Sequence, residues 1–336
     1  MKVTELGEFG LIELLANIIN KSKNTGDVAW RQLLIGIGDD TAAWQDNGCT
    51  QLATTDSLVQ DIHFNLDVTG WTELGWKAIA VNLSDIAAMG GTPRYALVSL
   101  ALPGELEIEC VSSLYVGMVQ ISNQFGIAII GGDIVAASKV MISVTIIGNL
   151  KGDSMLTRSA AMPGDHIAVT GHLGLSAAGL RMLKENIDLD TETSQLLAQA
   201  HLRPAPRLKE GETLLKQGVR AAIDISDGLI ADLAHICKAS QVSARIEENS
   251  VPVHPEVQAN FKADYQQLAM SGGEDYELLF TASKQIVDRV KQELDCPVTV
   301  IGEITRGNPG QVIITDTRGN NIPWQYGGWE HFKRQT

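Results

Sequence analysis

Acidic side chains follow apolar runs at several separate points along the chain. Most of them stand beside Gly, Ser or Thr: Asp39 and Asp40 after LIGIG, Asp56 after QLATT, Asp133 after IAIIGG, Asp224 and Asp227 in AAIDISDG, and Glu274 and Asp275 after LAMSGG. An Asp at such a position is ordinarily a turn residue or a helix N-cap. The recurrence favours another interpretation, because strand ends that meet at one edge are where α/β proteins build their sites.

Carboxylates that converge on one pocket repel each other unless cations lie between them. Oxygen ligands with few His or Cys suit Mg²⁺, which bridges carboxylates to substrate phosphates. Thr54 and Thr55 precede Asp56 and can add hydroxyl or backbone oxygens. Asp85 lies inside the helical segment WKAIAVNLSDIAAMGG and shares a face with Asn82 that is otherwise Ala, Val and Ile. The sequence therefore predicts a magnesium site, with an ordinary solvated helix position as the alternative for Asp85.

Two common phosphate-binding motifs are absent from the sequence, namely GxxxxGK[ST] and the protein-kinase catalytic loop. The segment GHLGLSAAG (171–179) opens a helix whose amides could hold an anion, although close backbone packing is the favoured interpretation. Arg158 in LTRSAAMPGD can clamp two phosphate oxygens, or can simply be solvated. His63 taken alone is best interpreted as a half-buried polar residue. From the residues alone we predict a two-domain, Mg²⁺-dependent enzyme that acts on phosphates.

The elements that must position these residues alternate between strands and helices. Up to about residue 150, apolar patterns predict strands at 32–38, 50–56, 95–102, 127–132 and 140–148, and helices at 71–89 and 105–124. Residues 151–165 are polar and turn-rich, as is typical of a domain crossing. The remainder predicts strands at 166–171, 276–282, 298–302 and 311–315, helices near 174–184 and 207–217, and a strand, turn and helix over 219–240. This alternation predicts a mixed α/β (α+β) architecture with domains 1–150 and 151–336.

Composition excludes several classes of partner. The 336 residues carry a formal net charge of −14, which argues against nucleic acid or an anionic membrane as a general electrostatic partner. Four widely spaced cysteines without a C-x-x-C pair indicate a reduced, intracellular complement. The first 21 residues have apolar positions at helical spacing, which predicts an amphipathic helix and not a signal peptide. No apolar stretch approaches the ~18 residues of a spanning helix, so we expect a soluble, cytoplasmic protein.

Considered together, the motifs form an ordered set that runs from about Gly7 to Trp329. In chain order they are GEFGLI, GIGDDTAA, TTDSLVQDIHF, WKAIAVNLSDIAAMGG, IIGGDIV, LTRSAAMPGD, HLRPAPR, AIDISDGLIADL and SGGEDYELLF. This set closely resembles the thiamine-monophosphate kinase family, within the aminoimidazole ribonucleotide synthetase-like superfamily. NLSDIAAMGG with SGGEDYELLF is the most specific part of the resemblance.

The resemblance implies a fold and a reaction. The N-terminal domain would pair with its twin so that the strands close an intersubunit β-barrel in a homodimer, which removes exposed sheet edges. A C-terminal α/β domain would pack behind it, with the nucleotide in the cleft. The reaction implied is direct in-line transfer of the γ-phosphoryl group of ATP to thiamine monophosphate, giving thiamine diphosphate. Several Mg²⁺ ions are implied, and a need for K⁺ stays open.

The resemblance also assigns roles to individual residues. Positions matching the metal ligands are Asp40, Thr54, Thr55, Asp56, Asp85, Asp133, Asp224 and Asp227. Positions matching nucleotide contacts are Gly132, Asp133, Arg158 and Ser226, and those matching contacts to thiamine phosphate are His63, Glu274 and Trp329. The catalytic centre expected from this match is Asp56, Asp85 and Asp133, with Asp39 left open as a partner of Asp40.

Related activities are distinguished by residues that this chain lacks. Selenophosphate synthetases carry a reactive Cys or selenocysteine in an N-terminal glycine-rich segment, but the first cysteine here is Cys49. The hydrogenase-maturation member ends in a functional Cys, whereas this chain ends EHFKRQT. Purine-pathway members lack the SGGEDYELLF context. A non-catalytic nucleotide or metal sensor is the alternative from a different class, although every matched ligand position holds a competent residue.

Overall fold

The computed structural model describes residues 3–22, 27–152, 154–324, 327–329 and 331, and within these it contains two six-stranded sheets. The strands are β1 (Leu33–Ile35), β2 (Ala42–Asp46), β3 (Cys49–Val59), β4 (Thr92–Leu102), β5 (Ala128–Ala136), β6 (Met141–Asn149), β7 (His166–Thr170), β8 (Ala221–Asp224), β9 (Ser243–Glu247), β10 (Leu278–Ala282), β11 (Val298–Thr305) and β12 (Val312–Thr315). The helices are α1 (Val3–Ser22), α2 (Val28–Gln32), α3 (Trp71–Ala88), α4 (Ile108–Phe125), α5 (Leu175–Glu185), α6 (Thr191–Leu202), α7 (Leu208–Gln217), α8 (Leu229–Ala239), α9 (Pro255–Asn260), α10 (Tyr265–Ser271) and α11 (Lys284–Glu293), with a 3₁₀ turn at Glu248–Ser250.

The first sheet has the strand order β1-β2-β3-β6-β4-β5. Its pairs are antiparallel except β4 with β5, which are parallel and joined by a crossover through α4. Burial alternates along β6, so one face packs on helices and the other faces outward. The edge strand β5 is exposed along nearly its whole length, including the apolar side chains of Ile130, Ile134 and Val135.

Helix α3 is the central element of the fold, because 14 of its 18 residues are buried. It crosses α4 at backbone contact: a Cβ on Gly75 would lie 1.9 Å from the Leu114 carbonyl oxygen, and one on Gly117 would lie 1.8 Å from that of Thr72. Only glycine allows two helices to approach so closely. A third glycine, Gly211 of α7, meets the backbone of α3 at Ala87 in the same way. Helices on both sides therefore fix the position of α3.

The second sheet has the order β12-β9-β11-β7-β10-β8, antiparallel except for the β12–β9 pair. Every residue of β8 and β10 is buried, since helices cover both faces of these strands. Phe280 of β10 and Ala222 of β8 belong to the same apolar cluster as α3 and the first sheet. The two sheets therefore share a continuous core around α3.

Most of the strands and helices predicted from the sequence are confirmed, including those over 71–89, 105–124 and 140–148. The predicted strand 32–38 was wrong in extent, because β1 ends at Ile35 and Gly36–Gly38 continue as a loop with Gly38 at φ 122°. Asp56 and Asp133 were expected at strand ends but lie inside β3 and β5, because both strands run on past them. The predicted N-terminal helix exists as α1, but its apolar stripe is solvent-accessible, with Ile18 56% exposed.

Within the described ranges, no helix combines the length and the apolar character required to traverse a lipid bilayer.

Candidate active site

Three carboxylates from distant parts of the chain form a cluster that we call the cage: the buried Asp40 and Asp224 and the half-buried Asp85. One carboxylate oxygen from each lies within 4.8 Å of the others. Asp40 stands in the loop between β1 and β2, Asp85 on α3, and Asp224 at the end of β8. Because β8 belongs to the second sheet and α3 packs on the first, the cage lies where the two halves meet.

Hydrogen bonds from hydroxyl groups orient two of the cage residues. Thr54 on β3 donates its hydroxyl to Asp85 Oδ2, and Ser84 donates to Asp224 Oδ2 at 2.6 Å. Asp40 Oδ2 is buried and has no hydrogen-bond partner among the described residues. A buried carboxylate oxygen without a donor is costly unless a ligand occupies the site. An oxygen donor set with one such orphan atom fits Mg²⁺ well.

Electrostatics in the cage favour a cation. Burial, followed by the charges of Asp56, Asp224 and Asp40, raises the pKa of Asp85 well above its ordinary value. Burial and the neighbouring Asp40 raise the pKa of Asp224 to about 7, and burial raises that of Asp56 to about 6. Each carboxylate therefore resists ionisation in the metal-free protein, and a divalent ion would reverse this effect.

Arg158 lies against the cage, and Asp39 positions it. Its guanidinium donates to Asp40 Oδ1 through Nε at 3.2 Å and through Nη2 at 2.5 Å. Its backbone N–H donates to both oxygens of Asp39 at 3.2–3.3 Å. Burial opposes the charge of Arg158, but the neighbouring Asp40 outweighs burial and raises the pKa of the guanidinium above its ordinary value. Asp39 is thus engaged with the Arg158 backbone and lies outside the cage.

The loop after β8 is organised by a buried carboxylate that the sequence did not reveal. Asp232 Oδ2 accepts the backbone N–H groups of Ser226, Asp227 and Gly228 at 3.0–3.2 Å. Asp227 groups with Asp232 and His235, with ligand atoms within 4.8 Å, and it is not in the cage. Asp232 therefore fixes the loop that presents Ser226 and Asp227.

Glu274 stands in the loop between α10 and β10, and both oxygens of its carboxylate are held. Lys77 Nζ lies 2.8 Å from Oε1, and His201 Nδ1 lies 3.3 Å from Oε2. Burial alone would raise the pKa of Glu274, but the charge of Lys77 and its hydrogen bond outweigh burial and lower the pKa below its ordinary value. The carboxylate stays charged while its side chain remains 27% exposed, so it can contact a ligand.

His63 and Trp329 meet through a residue near the end of the described chain. His63 Nδ1 accepts the Val59 N–H at 3.0 Å, and its Nε2 lies 3.2 Å from His331 Nε2. The Trp329 and His331 rings meet edge to face with centroids 5.9 Å apart, and the backbone N–H of Trp329 donates to the Asp227 carbonyl at 3.0 Å. The C-terminal residues are therefore joined both to the loop after β8 and to His63.

Besides Asp227, the predicted residues Asp133, Gly132 and Thr55 lie away from the cage within one chain. Strand register links Asp133 to Ser99, then to Ser143, then to Ser57, so Asp133 lies three strands from Asp56, about 14 Å at the usual strand spacing. Gly132 precedes it with φ 156°, and a Cβ there would lie 1.7 Å from the Val98 carbonyl oxygen. Thr55 is exposed, and its hydroxyl donates to the Val144 carbonyl.

Lys77, His201, Asp232 and His331 were missed from the sequence. Lys77 had a signal: it is the one basic residue of α3, and it stands eight residues before Asp85. The other three act through contacts between residues far apart in sequence or through a local cap, for which spacing gave no signal.

Comparison with known proteins finds matches along nearly the whole chain. The models for AIR synthase related protein match residues 38–150 (N-terminal domain) and 162–315 (C-terminal domain). The thiamine-monophosphate kinase of Bacillus subtilis (strain 168) is 37% identical over 307 residues, covering 89% of this chain and 94% of that protein. The enzyme of that name from Escherichia coli (strain K12) is 36% identical over 332 residues, covering 97% and 98%. The solved structure of AaThiL complexed with AMPPCP and TMP has a TM-score of 0.85 and 34% identity, covering 98% of this chain and 99% of that one.

Proposed function

Because the chain belongs to the thiamine-monophosphate kinase family and has the two-domain mixed α/β fold of the AIR synthase related proteins, we propose that it phosphorylates thiamine monophosphate with ATP. The products are thiamine diphosphate and ADP. The observation that carries the proposal is the cage, where the buried Asp40 and Asp224, the half-buried Asp85 and Arg158 meet between the two halves. The complex of AaThiL with AMPPCP and TMP supports the same pair of ligands.

The chemistry asked of this site is mainly positioning. The acceptor phosphate oxygen is already nucleophilic, so transfer of the γ-phosphoryl group needs alignment and charge screening more than a strong base. Asp40, Asp85 and Asp224 would hold Mg²⁺, with Asp56, Thr54 and Asp227 as further ligands. Bound there, Mg²⁺ supplies the charge that neutralises the phosphate oxygens.

Protein groups then orient the two substrates. We assign Arg158 and Ser226 to the nucleotide, since a guanidinium beside the cage can pair with two phosphate oxygens once it exchanges Asp40 for them. Glu274, Trp329 and His63 are assigned to thiamine monophosphate. A carboxylate suits the amino group of its pyrimidine, and an aromatic face suits its cationic thiazolium.

A homodimer would account for the position of Asp133, Gly132 and Thr55 away from the cage. These residues lie on the outer face or the edge of the first sheet, away from the cage. The same region exposes an unpaired edge strand and apolar side chains such as Tyr95, Leu97 and Ile134. An exposed apolar edge of this kind is a template for pairing with another chain. We therefore propose that a second copy closes an intersubunit barrel and brings its Asp133 to this site.

We place the domain division at about residue 150, with an N-terminal metal and dimerisation domain and a C-terminal α/β domain behind it. Several Mg²⁺ ions are proposed because Asp227 lies outside the cage, and K⁺ is a further candidate cation. A cytoplasmic location is supported by four cysteines that form no disulfide.

The direct test is to incubate the purified protein with ATP, Mg²⁺ and thiamine monophosphate and to separate thiamine species and nucleotides by chromatography. We expect ADP and thiamine diphosphate in equal amounts, and neither product when EDTA replaces Mg²⁺. Unphosphorylated thiamine is the matched control acceptor. ADP formed without thiamine diphosphate would reject the acceptor, and a folded protein that consumes no ATP would reject the kinase assignment.

A further inference from the structure

Lys77 and His201 both contact the carboxylate of Glu274. We propose that they are positioning residues which hold the Glu274 carboxylate in one orientation, and that this clamp makes the site selective for an amino-bearing ring over a carbonyl-bearing ring. The inference rests on the proposed function, because it concerns the acceptor that Glu274 would bind. Neither residue belongs to the cage.

The geometry restrains Glu274 from two independent helices. Lys77 on α3 occupies Oε1 at 2.8 Å, and His201 on α6 occupies Oε2 at 3.3 Å. His201 Nδ1 also lies 3.1 Å from the hydroxyl of Ser176 at the start of α5. Since each oxygen is held from a different side, the carboxylate plane cannot rotate without breaking one of the contacts.

Burial makes the clamp strong and specific to Glu274. Lys77 is 2% exposed and His201 is 4% exposed, so neither can exchange its partner for water. A buried ammonium needs an anion within contact distance, and Glu274 is the acid that the structure pairs with Lys77. Burial, then Lys77, lowers the pKa of His201 to about 3, so its imidazole is neutral. Its Nδ1 is hydrogen-bonded to the Ser176 hydroxyl, and its approach to Glu274 Oε2 is a close polar contact and not an ion pair.

The backbone beneath Glu274 is also fixed. Its φ of 67° is unusual for a glutamate. Its N–H donates to the Ser226 carbonyl at 2.8 Å. A Cβ on the preceding Gly273 would lie 2.5 Å from that same carbonyl oxygen, so the loop packs tightly there. The loop therefore sets the Cα position of Glu274, while Lys77 and His201 set the direction of its carboxylate.

A carboxylate held in this way recognises hydrogen-bond donors. Each oxygen has one lone pair committed to the clamp and one left for a ligand. An aminopyrimidine presents N–H donors to these lone pairs. A ring with a carbonyl at the same position would instead place its carbonyl oxygen, an acceptor, against a carboxylate oxygen of Glu274. A site built to accept a hydrogen bond discriminates strongly against an analogue without the donor.

The test is a double-mutant cycle with steady-state kinetics in both substrates. Lys77→Met and Glu274→Gln should each raise KM for thiamine monophosphate at least about tenfold and change KM for ATP less than about twofold. The double variant should be no worse than Glu274→Gln by more than about twofold, because Lys77 acts through Glu274. Lys77→Arg should recover part of the loss. Lys209→Met is the matched control, since Lys209 pairs with Asp295 on the surface.

A second pair of variants covers the case in which Lys77→Met does not fold, as judged by circular dichroism. His201→Asn keeps a donor near the position of Nδ1, and His201→Leu removes it. We expect only His201→Leu to raise KM for thiamine monophosphate. The same variant alone should reduce the preference for thiamine monophosphate over the 4-oxo analogue, oxythiamine monophosphate.

The outcomes separate the inference from the proposed function. Additive losses in the cycle, equal effects on both substrates, or equal behaviour of the two His201 variants would overturn the positioning role while wild-type turnover stands. A wild-type protein that makes no thiamine diphosphate would instead reject the function on which the inference depends.

Discussion

Replacing Asp85 by Asn should stabilise the metal-free protein while it abolishes turnover. The cage oxygens lie within 4.8 Å of one another, and two unit charges at that distance repel by about 3.5 kcal/mol at an effective dielectric constant of about 20. Arg158 offsets part of the charge on Asp40, and the raised pKa values of Asp85 and Asp224 mean that these groups take up protons on folding instead of bearing the full repulsion. An Asn at position 85 needs no such proton, so the variant avoids this cost. We therefore expect Asp85→Asn to recover about 1–2 kcal/mol of free energy of unfolding, or about 1–3 °C in Tm.

The assay is thermal unfolding of wild type and variant at neutral pH, with EDTA and then with excess Mg²⁺. In EDTA the variant should melt at the higher temperature. Mg²⁺ should raise the Tm of the wild type by mass action and raise that of the variant much less. Asp295→Asn is a matched control, because Asp295 is an exposed acid paired with Lys209, far from the cage.

Two results would refute the reasoning. A variant that melts below the wild type in EDTA would mean that Asp85 is needed for packing and that repulsion in the cage is small. A variant that keeps both turnover and the full Mg²⁺ response would remove Asp85 from the metal site.

Three further outcomes follow from the structure. The pKa values of Asp56 and Asp224 are raised to about 6 and about 7, so the metal-free fold binds protons that the unfolded chain releases. Its stability should fall as pH rises from about 4 to 7, and the Tm gain from Mg²⁺ should grow over that range; a gain independent of pH would contradict this. Trp329→Ala should raise KM for thiamine monophosphate far more than KM for ATP, and an equal rise in both would indicate a folding role. Gly117→Ala should destabilise the protein by about 1–3 kcal/mol or more in denaturant titrations, because its Cβ would lie 1.8 Å from the Thr72 carbonyl oxygen; an unchanged midpoint would contradict that contact.

Local patterns were sufficient for most of the fold. Helix α3 could be predicted because an apolar segment of helical period ends in two glycines, and β6 because its apolar residues alternate. The end of β1 was mispredicted, because the apolar pattern continues to Ile37 whereas pairing with β2 stops at Ile35, opposite Ala43.

Individual candidates in the site could be predicted, but their spatial relations could not. The Ser84–Asp224 hydrogen bond joins residues 140 apart in sequence, and no spacing rule reports such a contact. The position of Asp133 depends on strand order, which places β5 at the edge and three strands from β3. Lys77 was missed because its role depends on Glu274, which approaches α3 only through the tertiary fold.

The length of α3 between its two functional positions has a consequence for substrate choice. Lys77 and Asp85 are eight residues apart on one helix, which corresponds to about 12 Å of axial rise. The helix is gripped by backbone contacts on two sides, so this interval cannot stretch. Under the proposed assignment, this interval sets the distance between Glu274, which would contact the ring, and the cage, where the phosphoryl group would be transferred. We therefore expect the site to disfavour a molecule whose ring binds at Glu274 but which carries no phosphate or one phosphate more, because its terminal group would not lie at the cage.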